Sequence, residues 1–400
     1  MGLMDDEGVG ARIRTARNLH QLTQQHTATA AGLSLSYLEK LERGARLPTH
    51  DVLVRLAGAL RTDVTRLNGQ PDRSDRDVSG VIPELRRVLL CYRNPARLTV
   101  APRTLAELRV SVETISRHRR AAQYAQVAPN LPGVLTELGH VALTAEGPER
   151  REAFGLLATG YRAANSLAHK LGYYDLSTSA LERTEWAAEQ SEDPLAVATA
   201  RYLLGGAMLR EGAIESGVSL LEGVERDLVA LSAQRPRTIQ DTGVHGAILL
   251  KLAILTARGV GNRNPQAYFE EADRLAATMG GDKVVYETTF GPANVAIHKV
   301  AAEIEIGEMD NAVRMAEDMV LPNDLAPERS SHHHIDVAHA KLATGDRDGT
   351  LKSLQEARKL APQHTRHHPR VRDTAAALLR QDRGNRESVA GFARWSGIDL

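Results

Sequence analysis

Along most of the chain, apolar residues recur at i, i+3, i+4 and i+7 in segments of roughly 15–20 residues, the spacing of helices that each bury one stripe. This pattern runs from Val81 to about Gln381, broken by short turns that carry Gly or Pro. No stretch alternates convincingly with period two, so the expected fold class is all-α. The helices fall into pairs. ERREAFGLLATGYRAANSLAHKLG is followed by YDLSTSALERTEWAAEQ, and DPLAVATARYLLGGAMLREG by AIESGVSLLEGVERDLVAL. Further on, PANVAIHKVAAEIEIGE precedes MDNAVRMAEDMV, and SSHHHIDVAHAKLATGD precedes DGTLKSLQEARKLAP. Gly172, Gly212, Gly307 and Gly345 stand in the turns, about 40 residues apart where the signal is continuous. Gly291-Pro292 reads as a chain break just before a helix, with Pro near its first position.

The pattern before Asn68 is different: shorter helices with sharper punctuation. ARIRTARNLHQ is amphipathic, with Ile13, Ala16 and Leu19 or His20 facing inward. Thr23 is placed to cap a second helix, and Ala31-Gly32-Leu33 forms a tight turn in which Gly takes a conformation that a Cβ would resist. Ser34 caps a third helix, LSYLEKLERG, which ends at Gly44. Thr49 caps a fourth, HDVLVRLAGAL, and DVTRL supplies a short fifth. The polar stretch GQPDRSDRDVSG then reads as a linker. The expected organisation is a small domain over 1–68, a linker over 69–80 and a helical domain over 81–400.

Charge adds one constraint. Lys+Arg and Asp+Glu balance at 50 each, so any nucleic-acid binding has to come from a local patch. From Gly10 to His50 the basic residues Arg12, Arg14, Arg17, Lys40, Arg43 and Arg46 face only the acids Glu39 and Glu42. With Cys91 the single cysteine and an acidic N-terminus lacking an apolar core, a cytoplasmic protein without disulfides is expected. No run approaches 18 apolar residues, so no membrane partner is expected.

Thr23-Gln24, Ala31-Gly32, Ser34, Leu38, Leu41, Glu42 and Gly44 follow a Thr-Gln, Ala-Gly, Ser-x-x-x-apolar-x-x-apolar-Glu-x-Gly pattern. In this the first sixth of the chain resembles the phage-repressor, or XRE, family of helix-turn-helix domains. It departs at Thr27, where the second helix of that family usually buries a Leu. The resemblance implies a five-helix DNA-binding domain whose third helix enters the major groove. There it places Ser34, Leu35, Ser36, Glu39 and Lys40. Leu35 would meet a thymine methyl, Ser36 a donor or acceptor, Glu39 a cytosine amine, and Lys40 a guanine or a phosphate. Gln24 would bind phosphate or brace the third helix, and Arg43 and Arg46 would grip phosphates. The bland alternatives are solvated charges at Glu39 and Lys40 and a packing role for Leu35. Arg17 and Glu42 are implied to be a buried ion pair. A homodimer on a double-stranded operator follows from the same resemblance.

The helical pairs resemble a tetratricopeptide array, whose period is ~34 residues. They are similar to the sensor domains attached to such DNA-binding domains, including peptide-sensing RRNPP-type regulators. That implies a groove for a peptide, small molecule or partner protein. Arg162, Asn165, His169, Arg201, Asn294 and His298, polar residues within apolar helices, are its candidate lining, the alternative being surface or inter-helix positions. The reading is a ligand-responsive transcriptional regulator; the rival is a DNA-tethered scaffold that docks another protein. No cofactor or metal is expected. His332 and Asp336, four apart on a helix, could supply two ligands from one face, but His332, His333 and His334 point about 100° apart and cannot share one site without distortion. Solvated histidines at a helix start are the reading, with His339, His364, His367 and His368 nearby or later in the chain. Cys91 is read as a small core residue. Nucleophile-elbow and phosphate-loop motifs are absent and GVGNRN belongs to a turn, so no enzymatic activity is expected.

Overall fold

The computed structural model describes residues 9–46, 48–60, 62, 67, 80–259, 264–381, 387–396 and 398. Its N-terminal helices are α1 (Val9–Leu19), α2 (Gln24–Ala30), α3 (Leu35–Glu42) and α4 (His50–Ala59). Each start from α2 onward is fixed by a hydroxyl that satisfies one of the free N–H groups of the first turn. Thr23 accepts from the His26 amide, Ser34 from Tyr37 and Thr49 from Val52. Gly32 and Gly44 both take positive φ, as the turn and the helix end require. Ile13, Leu38, Leu41, Leu56 and Leu60 close one apolar core, with Ala16 partly buried against it; His20 is exposed. Of the expected fifth helix only Leu67, and of the expected linker only Gly80, lie within the described residues.

The remaining helices are α5 (Ile82–Leu90), α6 (Leu105–Arg120), α7 (Tyr124–Val127), α8 (Leu131–Thr144), α9 (Gly147–Lys170), α10 (Tyr174–Gln190), α11 (Pro194–Arg210) and α12 (Ile214–Gln234). After them come α13 (Ile239–Arg258), α14 (Gln266–Ala277), α15 (Pro292–Ile306), α16 (Met309–Glu317), α17 (Pro327–Ala343) and α18 (Arg347–Leu360). The described chain ends with α19 (Pro362–His367), α20 (Pro369–Gln381) and α21 (Glu387–Trp395). The four expected pairs are α9–α10, α11–α12, α15–α16 and α17–α18. Their turns pass through Gly172, Gly212, Gly307 and Gly345, each with φ between 74° and 92°. Pro292 opens α15 as expected.

Helix α13 is buried on nearly every face, which places it at the centre of the array. It packs against a feature absent from the sequence reading, an antiparallel hairpin of β1 (Lys283–Val285) and β2 (Thr288–Phe290). The pairing is Lys283 with Phe290, Val284 with Thr289 and Val285 with Thr288. Its two turn residues, Tyr286 and Glu287, have φ of 44° and 59°. Two-residue hairpin turns normally signal themselves by Asn-Gly or Asp-Gly, and here bulky residues take that strained geometry. Three-residue strands are also too short to display a period of two.

Cys91 is exposed, contrary to the core role expected of it. The buried stripe of α5 is Ile82, Leu85 and Leu89, and Cys91 falls on the opposite side of the helix end, next to exposed Leu90. Among the described residues, no helix is long and apolar enough to cross a membrane.

Candidate functional site

Helix α3 buries Leu38, Leu41 and Glu42, which turns the opposite face outward. Ser36, Lys40 and Arg43 are exposed there at i, i+4 and i+7, with Leu35 and Glu39 half-buried along the flank. Ser34 is exposed at the N-cap, where its hydroxyl already accepts from the Tyr37 amide at 3.2 Å. Arg43 donates from Nε to the Glu39 carbonyl at 3.3 Å. Arg46 lies with its guanidinium 5.2 Å from the centroid of the Tyr37 ring. Tyr37 was not among the expected residues. Its flat ring holds Arg46 beside the outward face, and only the fold brings the two together.

Beneath that face is a polar clamp. Arg17 donates to both carboxylate oxygens of Glu42, at 2.6 and 3.0 Å, and to the Leu22 carbonyl at 2.9 Å. Gln24 donates to the same carboxylate at 2.8 Å. Burial pushes the Glu42 carboxyl up, but the hydrogen bonds from Arg17 and Gln24 win and hold it below the usual range. Of the two roles open to Gln24, its amide thus performs the bracing one. Thr27 is completely buried, and its hydroxyl finds no partner.

The helical domain holds a cavity of about 180 Å³ where α6, α9, α11, α13, the hairpin and the start of α17 meet. Its wall carries six cations, Arg119, Arg120, Arg162, Arg210, Lys251 and Arg329, against two carboxylates, Glu287 and Glu328. Glu287, on the hairpin turn, binds Arg119 at 2.8 Å and Arg120 at 2.5 Å. Arg162 donates to the Tyr286 carbonyl at 3.1 Å, and its Nε has no partner. Burial and then the nearby Arg119 lower its guanidinium to about 10. Burial would raise the Tyr202 phenol, yet Lys251, Arg329 and Arg162 together bring it below its ordinary value. Among the described residues, no carboxylate lies within 4 Å of the charged groups of Arg210, Lys251 or Arg329. Lys251 Nζ and Arg210 Nη1 both lie within 4 Å of where a Cβ on Gly206 would sit, so the missing side chain leaves space between two cations. A second, more apolar cavity of about 400 Å³ shares Arg162, Leu203 and Glu287 with the first and is lined further by Leu156, Ala196 and Ala200.

Of the six expected groove residues, two, Arg162 and Asn165, line the cationic cavity. Asn165 also donates to the Ser177 hydroxyl at 2.7 Å, tying α9 to α10. The other four lie outside it. His169 packs on Tyr174, and Arg201 pairs with Glu185 at 3.1 Å. Asn294 donates to the Thr289 carbonyl, and His298 bonds the Asn294 carbonyl at 2.8 Å. His169 and Arg201 serve inter-helix contacts, Asn294 holds the hairpin and His298 bonds within its own helix, because spacing along one helix does not reveal which face meets the groove. Arg119, Arg120, Arg210, Lys251 and Arg329 escaped the reading because they sit on separate elements and look like ordinary helix charges.

The histidines are not solvated as expected. His332 on α17 meets His364 and His368 from α19 and its C-cap, with ring centroids 5.9 and 5.0 Å away and 5.4 Å between the latter two. His364 is fully buried, and His333 is buried apart from this cluster. Burial, followed by neighbouring cations, holds all three clustered imidazoles well below their ordinary value, hence neutral near pH 7. Weighing ligands along one helix hid a meeting across more than thirty residues of chain.

A family model described as a helix-turn-helix domain matches residues 9–68. The chain is 39% identical over 64 residues to YazB of Bacillus subtilis (strain 168), an uncharacterized helix-turn-helix-type transcriptional regulator. That match covers 16% of this chain and 93% of YazB. Among solved structures, similarity extends to Bacillus thuringiensis PlcR in complex with the peptide PapR7 and DNA, at 12% identity and TM-score 0.29, over 90% of this chain and 96% of that one. It extends also to apo ComR from S. thermophilus, at 14% identity and TM-score 0.16, over 95% and 100%. At those scores neither superposition bears on function. By its N-terminal domain, which spans almost the whole of YazB, the chain belongs to the helix-turn-helix-type transcriptional regulators.

Proposed function

We propose that this regulator reads a specific operator as a homodimer through Ser36, Lys40 and the flank of α3, and that its helical domain takes up an anionic effector. The observation that carries the second part is the cavity wall, where six cations meet two carboxylates and Arg210 and Lys251 converge on the open space at Gly206. Half-buried cations without a carboxylate partner attract an anion, so a carboxylate or phosphate seated there is favoured. The adjoining apolar cavity suits a ligand with an acidic end and an apolar body, such as a short peptide C-terminus or an acidic small molecule. Such a ligand regulates only if it binds two arrangements of the protein differently.

The test measures anisotropy of labelled DNA from the chain's own upstream region against random DNA at fixed near-physiological salt. Preference of at least ~10³-fold marks specific recognition. Acidic peptides and acidic metabolites are then added. An effector that shifts operator affinity, and loses that effect in Lys251→Gln and Arg210→Gln, supports the reading. An effector that raises thermal stability with operator affinity unchanged overturns sensing in favour of a docking scaffold. Sedimentation of the DNA complex as one chain per operator would overturn the dimer.

A further inference from the structure

We infer that His332, His364 and His368 form a site for a divalent transition-metal ion of the imidazole-binding class, zinc foremost. Its three histidines lie outside the lining of the effector cavity, which it adjoins at Glu328, and the inference does not rest on that cavity's ligand. One potential ligand atom from each ring lies within 4.8 Å of the other two. Zinc–nitrogen bonds of about 2.0–2.1 Å in tetrahedral array set the nitrogens about 3.3 Å apart, so small rotations of the three rings suffice. The rings converge from two elements. His332 comes from α17, while His364 and His368 lie four residues apart across the end of α19.

The second observation is the state of the ring nitrogens. Both nitrogens of fully buried His364 and Nδ1 of His368 have no hydrogen-bond partner. Buried polar atoms are rarely left so, and a metal ion would satisfy lone pairs that nothing else in the protein reaches. Carboxylates lie near two of the rings without bonding them, Asp336 3.6 Å from His332 Nε2 and Glu328 4.0 Å from His364 Nδ1. Of the cations near the cluster, Lys170 pairs with Glu328 and Arg370 with Asp336 and Glu305, while Arg329 stands without a carboxylate within 4 Å among the described residues. An all-nitrogen set excludes magnesium and calcium, which require oxygen ligands, and suits zinc, cobalt, nickel or copper. Three imidazoles leave a fourth position for water or another ligand, and the ion would tie α17 to the α19–α20 corner.

The test uses the tag-free full chain, stripped with chelator and titrated with Co²⁺, since the 15 histidines make surface binding a background to be separated. One equivalent should produce the intense visible bands of a four- or five-coordinate cobalt site, and one equivalent of Zn²⁺ should abolish them. His332→Gln and His368→Gln, at half-buried positions, should each weaken Co²⁺ binding by more than the ~10–100-fold that loss of an outer partner costs. His364→Gln should do the same where it folds. His334→Gln, on the same helix but outside the cluster, should leave binding unchanged. Only the pale bands of six-coordinate cobalt, or undiminished affinity in both half-buried variants, would overturn the site.

Discussion

At the scale of single residues, Glu42 organises the N-terminal domain, because one buried carboxylate on α3 takes hydrogen bonds from Arg17 on α1 and Gln24 on α2. The outward face of α3 is therefore presented by a rigid base, and substitutions on it should report on DNA rather than on folding. Lys40→Ala should cost about 1–3 kcal/mol on the operator and much less on random DNA if Lys40 reads a base edge. Arg43→Ala should weaken both DNAs alike and reduce the dependence of log affinity on log salt by about 0.9, the loss of one phosphate contact. Anisotropy titrations on both DNAs at several salt concentrations separate these, and equal losses for Lys40→Ala would remove it from base reading. Thr27 gives a second prediction. Its hydroxyl is buried without a partner, so Thr27→Val should raise the stability of this domain by about 1–2 kcal/mol in denaturant unfolding. A loss would show that the hydroxyl is bonded in solution. The caps at Thr23, Ser34 and Thr49 were legible in the sequence because a cap depends on its immediate neighbours. The pairing of Tyr37 with Arg46 was not, since it needs the chain beyond α3 to fold back.

At the scale of elements, the turns of the helical pairs were legible for the same local reason: a left-handed turn between helices selects Gly, and Gly172, Gly212, Gly307 and Gly345 all adopt it. The hairpin was hidden because Tyr286 and Glu287 occupy positions where Gly and Asn are the usual signal, and the contacts that hold them there are remote in sequence. Arg162 binds the Tyr286 carbonyl, Asp193 accepts from the Tyr286 hydroxyl at 2.7 Å, and Arg119 and Arg120 hold Glu287. The other support is α13. A Cβ on Gly246 would lie 2.1–2.4 Å from atoms of the Phe290 ring, so the strand packs where α13 has no side chain. Gly246→Ala gains about 1 kcal/mol of helix propensity but incurs an overpacking cost of about 1–3 kcal/mol. The expected net result is a lower melting temperature. Because Glu287 rides on the same hairpin, the variant should also bind any cavity ligand more weakly. Unchanged or higher thermal stability would mean that the hairpin shifts freely and does not brace the cavity.

Across the whole molecule, charge and burial are segregated in a way that the balanced totals of acids and bases conceal. The cationic cavity draws on α6, α9, α11, α13, the hairpin and α17, so no single segment announces it. The histidines look solvated in sequence, yet His333 and His364 prove buried and His332 and His368 half-buried. This has a consequence for pH. Burial, and then nearby Arg237, lower His245 to about 4; burial, and then Arg329, lower His298 to about 3. Unfolded imidazoles titrate near 6.5, so the unfolded chain takes up protons that the folded one refuses. Their contribution is complete above about pH 6.5 and is lost progressively as the pH falls towards the folded values, at up to 1.36 kcal/mol per unit for each ring. Between pH 7 and 5.5 the two should cost the helical domain about 2–3 kcal/mol. The lowered carboxyl of Glu42 acts in a separate window, its contribution being retained above the ordinary carboxylate range and lost only below it, so the DNA-binding domain should be spared. Both tryptophans, Trp186 and Trp395, lie in the helical domain, and their fluorescence follows its unfolding alone. Urea titrations at pH 7 and 5.5 should show a loss, and His298→Gln should reduce it by about 1 kcal/mol, because the other lowered histidines add to it and Asp373, raised to about 7, opposes it. If the variant keeps the full acid loss, His298 is not the neutral buried group that the fold makes it, and the proton uptake belongs to other histidines.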